Sequence, residues 1–309
     1  MHAEETKGLP VKDLLAKATT LTEALPWIKR TWGRTVVIKY GGAAMTDPAL
    51  REHVASDIVL MKLVGINPVI VHGGGPEITS YMERLNMPVE FHDGLRVTSP
   101  EAMELVKMVL VGKVNKELVS AVNAHGRLAV GIAGDDANLI RARQKDPQLG
   151  RVGEIVGIDT TVVLNLIDDG FIPIIATVAA GDDGGSYNIN ADLVAGELAA
   201  ALAADKVIFL TDVDGLYADF EDKESLISAL ALEEAEEMIS SDALAEGMIP
   251  KVAACTRALH GGVRRAHVLN GTVPHALLLE VYTDEGVGTM ITHGGDANEH
   301  PATVNGVTL

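Results

Sequence analysis

Between residues 9 and 30, LPVKDLLAKATTLTEALPWIKR sets Leu14, Leu15, Ala18, Leu21, Leu25 and Ile28 three and four positions apart. That is the spacing of an amphipathic helix, with Pro26 placed to kink it near its end. The helix precedes the first core strand, so its apolar face needs cover from its own domain or from another subunit. The period then changes. TVVIKYGG is an apolar, β-branched run that closes in Gly41-Gly42, a helical stretch follows from about Asp47 to Val64, and NPVIVHGGG makes a second strand that again ends in glycines. Repeated strand, glycine turn and helix predicts an α/β fold, a three-layer αβα sandwich around a mainly parallel sheet. Ligands of such sheets bind at the carboxyl ends of the strands.

Further along, MPVEFHDGLRVT at about 87–98 carries Asp93-Gly94 between extended flanks and reads as a hairpin over the sheet edge. A long helix is expected from Pro100 to about Ala124, with proline in its first turn. Strand RLAVGIAG, a hairpin near 139–157, a short helix and strand FIPIIATVA complete the first half. The second half opens on NINADLVAGELAAALAADKVIFLTDVDGLY, a helix, strand and glycine turn. Acidic helices at 224–247, an Ala-rich helix from Lys251, strand AHVLNG and a last strand at Gly288–Ile291 follow, then a polar tail expected to fray. One extended sheet is the simplest architecture.

Composition narrows the classes. With 309 residues, 47% of them apolar, the chain can bury a large core. A surplus of 43 acidic over 25 basic residues, net charge −18, gives no attraction to nucleic acid or anionic lipid. The single Cys255 allows no intrachain disulfide and fits a reducing, cytoplasmic setting; it reads as packing rather than as a nucleophile. No leader pattern and no apolar run of membrane-spanning length is seen, so the expectation is a protein neither secreted nor membrane-spanning.

HGGG at 72–75 lies between a strand and a helix starting at Pro76, where backbone N–H groups can meet an anion and a Cβ would hold it off. A tight turn without a ligand would use the same residues. Gly41-Gly42 forms a second such turn, two residues after Lys39. No G-x-x-x-x-G-K-[ST], no G-x-G-x-x-G at either turn and no protein-kinase signature occurs. Asp212, Asp214 and Gly215 suggest a calcium loop only superficially, since its spacing and terminal Glu are missing. Phosphoryl transfer asks for cations on both sides of the transferring group, and Lys39, in an otherwise apolar strand, and Lys251, opening a helix after GMIP, are the candidates. Asp192 in NINAD could hold those ammonium groups or act only as a helix N-terminal acid. Arg96 has the planar fork for a carboxylate, or for a surface ion pair.

In this order, VVIKYGG, VIVHGGGPEI, GLRVT, YNINAD, FLTDVDGLY and GMIPKV resemble the amino acid kinase family over residues 34–293. The resemblance implies that family's fold and an ATP-dependent phosphotransferase whose acceptor is the side-chain carboxylate of N-acetyl-L-glutamate, a step of arginine biosynthesis. It makes Lys39 and Lys251 transition-state stabilisers and Asp192 their organiser. Gly74 and Gly75 would lie at the substrate's reacting end, and Arg96 and Asn188 would hold its α-carboxylate. Gly41 and Gly42, with Asp212, Val213, Asp214, Gly215, Leu216 and Tyr217, would line the nucleotide pocket, and Mg²⁺ would ride on the ATP phosphates rather than in a protein cage. Residues 31–190 would then be a substrate half, 191–295 a nucleotide half and 296–309 a tail. Arginine-inhibited members also have an N-terminal helix, here 1–30, that links dimers into a hexamer, and His267, Glu280 and Gly286 fall where arginine binds in them. Alternative acceptors within the family are aspartate, glutamate, carbamate or a nucleoside monophosphate; a non-catalytic arginine sensor is the reading from another class.

Overall fold

The computed structural model describes residues 11–42, 45, 47–219, 221–241, 244, 247–282, 286–294, 303–304 and 307–308. Their strands are β1 Thr35–Tyr40, β2 Asn67–His72, β3 Phe91–His92, β4 Leu95–Arg96, β5 Ala129–Ala133, β6 Ile140–Gln144, β7 Gly153–Ile158, β8 Ile172–Ala176, β9 Val178–Gly181, β10 Ser186–Asn188, β11 Lys206–Thr211, β12 Leu216–Tyr217, β13 Leu226–Ile227, β14 Ala229–Ala231, β15 Arg265–Asn270 and β16 Thr289–Thr292, with a last short pair at Thr303–Val304 and Val307–Thr308. Eight of them build the central sheet in the order β14-β16-β15-β11-β1-β2-β8-β5. All neighbours run parallel except β15 and β16. β1 sits between β2, which follows it in the chain, and β11, which comes much later. The direction of winding reverses there, and such a reversal opens a crevice at the carboxyl ends of the strands.

Both faces of the sheet are covered, so its strands are apolar throughout rather than alternating with polar residues. Val36, Ile38, Tyr40 and Ile70 enter one core with helices Pro48–Leu63, Gly75–Arg84 and Ala276–Tyr282. Val37, Val69, Val71 and Phe209 enter the other with helices Ala191–Ala201 and Ile249–His260. Helix starts follow local chemistry. Asp47 caps Pro48–Leu63 through Oδ1, which accepts from Ala49 N at 2.8 Å, and Ser99 Oγ accepts from Ala102 N at 3.1 Å ahead of Pro100.

Four expectations need correcting. The sheet is not single: β10-β9-β6-β7 form a separate four-stranded sheet, because FIPIIATVA breaks at Thr177 and its second half, β9, leaves the central sheet. The stretch 9–30 is two helices, Val11–Glu23 and Leu25–Thr31, with the break at Ala24 just ahead of Pro26; residues 9 and 10 lie outside the described ones. The helix from Pro100 passes through a π-helical segment, Met108–Val114, before returning to α at Asn115–Asn123. Of the acidic stretch 224–247, only Leu232–Ser240 is an α-helix; Lys223–Ser225 is a 3₁₀ turn and β13 and β14 follow it, while 242–243 and 245–246 lie outside the described residues. Most of the tail, 295–302, 305–306 and 309, lies outside them too.

Candidate active site

Strand alternation decides where Lys39 points. It shares the face of Val37, the face packed by helix Ala191–Ala201. Asn190 caps that helix, its Oδ1 accepting from Asp192 N at 2.8 Å and Leu193 N at 3.1 Å, which puts Asp192 in the first turn at the carboxyl edge of β1. Lys39 Nζ lies 3.1 Å from Asp192 Oδ1, and Lys251 Nζ, from the first turn of helix Ile249–His260, lies 3.6 Å from Oδ2. The two readings of Asp192 left open by the sequence therefore hold together: it is a helix N-terminal acid, and it bridges both lysines. Lys39 and Asp192 are buried, and Lys251 is partly exposed. Two ammonium groups thus share one carboxylate on the floor of the site.

A cleft of about 270 Å³ opens over that floor, lined among others by Gly41, Gly42, Gly73, Gly74, Gly75 and Asn188. Gly41 lies under the Lys39 ammonium, and a Cβ there would come 2.3 Å from Nζ. Gly42 has φ +69° and a Cβ would come 2.1 Å from Asp212 Oδ1, so this turn sets the loop after β11 against β1 and favours glycine. A Cβ on Gly74 would meet Leu110 Cδ2 at 2.7 Å, whereas one on Gly75 would stand in open cleft. None of the described residues accepts from the Gly74 or Gly75 N–H. These donors, at the start of helix Gly75–Arg84, suit an anion.

Arg96 closes the opposite wall. The hairpin β3–β4 turns at Asp93-Gly94 as expected and carries a guanidinium that is buried, not on the surface. Its Nη2 donates to Gly75 O at 3.0 Å and Thr79 Oγ1 at 2.7 Å, Nη1 reaches Met82 Sδ at 3.5 Å, and the group lies 4.7 Å from the Phe91 ring centroid. Among the described residues no carboxylate pairs with it, and desolvation lowers its pKa from the ordinary value. The surface ion pair is excluded, and a buried cation with donors to spare remains. Asn188, on β10, is tied to Arg96 through the backbone. Arg151 N donates to Thr98 O at 2.6 Å, Thr98 N to Leu149 O at 3.0 Å, and Asn188 N to Arg151 O at 2.9 Å, so residues 149–151 bond to both arms. Gly150 has φ +66° and a Cβ would come 2.3 Å from Thr98 O.

On the other side of β1, the loop from Asp212 to Tyr217 leaves the end of β11. Asp214 accepts from Asn270 Nδ2 and Tyr217 Oη, each at 2.7 Å, which lowers its carboxyl pKa. Leu216 N donates to Thr289 Oγ1 at 2.8 Å, and a Cβ on Gly215 would come 2.5 Å from that oxygen. Val213 is half-buried beside the second core. His267, Glu280 and Gly286 also meet, although 13 and 6 residues separate them in turn. His267 Nδ1 is 2.6 Å from Glu280 Oε1, Val287 N donates to Oε2 at 2.9 Å, and a Cβ on Gly286 would come 2.8 Å from Oε2. Burial works to raise the Glu280 pKa, yet the hydrogen bonds and charges of His267, the Val287 N–H and Lys206 outweigh it and hold it low.

Sequence reading missed three parts of this machinery. The π-helical segment supplies Leu110 and Val114 against Gly74, and hydrophobic spacing cannot reveal a π turn. Lys206 is buried near Glu280 at a position that reads as an ordinary strand start. His72 and Asn115 are both fully buried, with Asn115 Nδ2 3.1 Å from His72 Nε2; only the polar Asn inside an apolar helix face could have pointed to them.

A model of the amino acid kinase family matches residues 34–270. The acetylglutamate kinase of Frankia casuarinae is 50% identical over 296 residues, 94% of this chain and 81% of that protein. That of Caldanaerobacter subterraneus subsp. tengcongensis is 53% identical over 281 residues, 90% of this chain and 94% of that protein. Among solved structures, N-acetylglutamate synthase from Neisseria gonorrhoeae, complexed with coenzyme A and N-acetyl-glutamate, superposes with a TM-score of 0.79 at 25% identity; the match covers 89% of this chain and 63% of the synthase.

Proposed function

The chain belongs to the amino acid kinase family, and from that premise we propose how its cleft carries out the reaction. The reaction itself is phosphorylation of the side-chain carboxylate of N-acetyl-L-glutamate in arginine biosynthesis, with ATP as the phosphoryl donor. Lys39 and Lys251 would flank the transferring γ-phosphoryl group, with Asp192 fixing both ammonium groups in place. The observation that carries this is the convergence of two lysines from different elements on one buried carboxylate at 3.1 and 3.6 Å. Gly74 and Gly75 would offer N–H groups at the reacting end. Arg96 and Asn188 would hold the α-carboxylate, which is why the Arg96 guanidinium stays without a carboxylate of its own. Gly41, Gly42 and the loop from Asp212 to Tyr217 would take the nucleotide.

The acceptor is already ionised near neutral pH, so it attacks in line without a general base and forms a C–O–P bond as the bond between γ-phosphorus and the β,γ-bridging oxygen breaks; ADP carries away the electron pair. The donors in the cleft are ammonium and backbone N–H groups, which fit phosphate oxygens. Mg²⁺ would accordingly enter on the phosphates and neutralise part of their charge. ADP release with Mg-ATP and N-acetyl-L-glutamate, beside free glutamate and aspartate, tests the assignment. Turnover confined to acetylglutamate is expected, and equal turnover on a free amino acid would refute the choice of acceptor.

The cluster of His267, Glu280 and Gly286 supports feedback inhibition by arginine, since a buried carboxylate held ionised beside a glycine suits a guanidinium. Leu15, Leu21 and Leu25 are exposed on the N-terminal helices, which supports their covering by a second dimer in a hexamer. Among the described residues no helix is long and apolar enough to cross a membrane. A cytoplasmic setting is proposed on the single Cys255, which is free and buried. Removing residues 1–30 should leave turnover and abolish arginine inhibition; inhibition that survives would refute the link between the helix and the effector.

A further inference from the structure

We propose that His72 and Asn115 are positioning residues that aim the Gly74 N–H into the cleft by holding the Gly73–Gly74 peptide from beneath. The inference rests on the reading of Gly74 as a donor to the reacting groups. A trans peptide is planar, with its C=O and N–H pointing in opposite directions. Whatever fixes Gly73 O therefore fixes where the Gly74 N–H looks. His72 Nδ1 lies 2.9 Å from Gly73 O, on the core side of the loop. A carbonyl can only accept, so Nδ1 must carry the proton for this contact to be a hydrogen bond.

The tautomer is set from further below. Asn115 Nδ2 lies 2.9 Å from Ile174 O, on the adjacent strand β8, and 3.1 Å from His72 Nε2. Ile174 O can only accept, so the nitrogen of the Asn115 amide must face it; of the two remaining contacts of that nitrogen, Nε2 at 3.1 Å is nearer than Ile132 O at 3.4 Å and takes the other hydrogen. Nε2 is the acceptor and Nδ1 the donor, which is the tautomer the Gly73 contact requires. The relay runs from a sheet carbonyl through Asn115 and His72 to the peptide whose N–H meets the cleft. Its members are locked: His72 and Asn115 are fully buried, and a Cβ on Gly131 would come 1.9 Å from Asn115 Oδ1. The π-helical segment ends at Val114, so the extra residue per turn sets the phase at which Asn115 meets the sheet. Desolvation pushes the His72 pKa down to about 4, and the imidazole stays neutral, as the relay demands.

Two substitutions separate positioning from packing. In His72→Asn the amide nitrogen falls near the place of Nδ1 and can still donate to Gly73 O; in His72→Gln it falls near Nε2 and cannot. Both remove an imidazole from the same buried site, so both should lower the unfolding midpoint to a similar extent. We expect His72→Gln to lose about tenfold or more in kcat, a fraction of the cost of deleting an oxyanion donor outright, with KM for N-acetyl-L-glutamate and ATP within about threefold. His72→Asn should stay within about threefold of the parent in kcat. Equal loss in the two variants, or a loss confined to KM, would overturn the relay. Lys39→Ala run alongside keeps the outcomes apart: if it loses turnover while the His72 pair shows no split, the relay alone has failed, and if it retains turnover the reading of the cleft has failed.

Discussion

Replacing Asp192 by asparagine keeps the shape of the site and removes the carboxylate that Lys39 and Lys251 share. At 3.1 and 3.6 Å, and with an effective dielectric near 20, each ion pair is worth roughly 5 kcal/mol of gross attraction. Most of that is offset by the desolvation of burying the charges, and breaking a buried pair by removing one partner costs about 3–5 kcal/mol net. For a chain of 309 residues the entropy of unfolding is about 0.6 kcal/mol per kelvin, so the midpoint should fall by about 5–8 °C. The two ammonium groups then lose the carboxylate that bridged them. A triphosphate supplies an anion in its place, so a non-hydrolysable ATP analogue should raise the midpoint of Asp192→Asn more than that of the parent. Turnover should drop by about two to three orders of magnitude, because the lysines no longer hold the geometry of the transferring group. Differential scanning fluorimetry with and without the analogue, together with steady-state ADP release, makes the measurement. A kcat within about threefold of the parent, or equal analogue-induced shifts in both proteins, would refute the organising role.

Three further outcomes follow from the same geometry. Arg96→Ala should raise KM for N-acetyl-L-glutamate by about a hundredfold with little change in kcat, since charge-assisted hydrogen bonds are worth about 1.5–3 kcal/mol; substrate-saturation kinetics would show it. Gly42→Ala strains a backbone at φ +69° and drives a methyl towards Asp212, so KM for ATP should rise by about tenfold, checked by varying ATP at saturating acceptor. The His72 pKa lies at about 4 when folded against 6.5 in its ordinary state, so between those values the unfolded chain binds a proton that the folded chain refuses. Stability from this group is therefore complete above pH 6.5 and declines as pH falls towards 4, by on the order of 3 kcal/mol. Asn115 and Lys116 are the neighbours that face it, and Lys116 reinforces the effect. Urea unfolding across that range should show a slope shallower by up to one proton in His72→Asn.

Where local chemistry dictates the outcome, the sequence was legible. The apolar runs before Gly41 and Gly73 are buried strands, Asp47 and Ser99 cap their helices, and Asp93-Gly94 turns a hairpin that delivers Arg96. Lys39 stood out because an ammonium in an apolar strand needs a partner, and it has Asp192. What escaped was set by tertiary context. Nothing in FIPIIATVA announces that the chain changes sheets at Thr177, since both halves are equally apolar. The acidic stretch 224–247 shares its composition with a solvated helix but begins in a 3₁₀ turn and two short strands. The phase of the π-helical segment, and with it the meeting of Asn115 and His72, depends on what the helix packs against.

The bonding of residues 149–151 to the segments that carry Arg96 and Asn188 couples the two mechanically. Arg96 and Asn188 hang from one backbone ladder through Thr98 and Arg151, so neither can be shifted alone. An acceptor of different length would require both arms to move, and a side chain on Gly150 would displace them together. If the two residues grip the acceptor as proposed, a change at Gly150 would alter the site without touching the ligand.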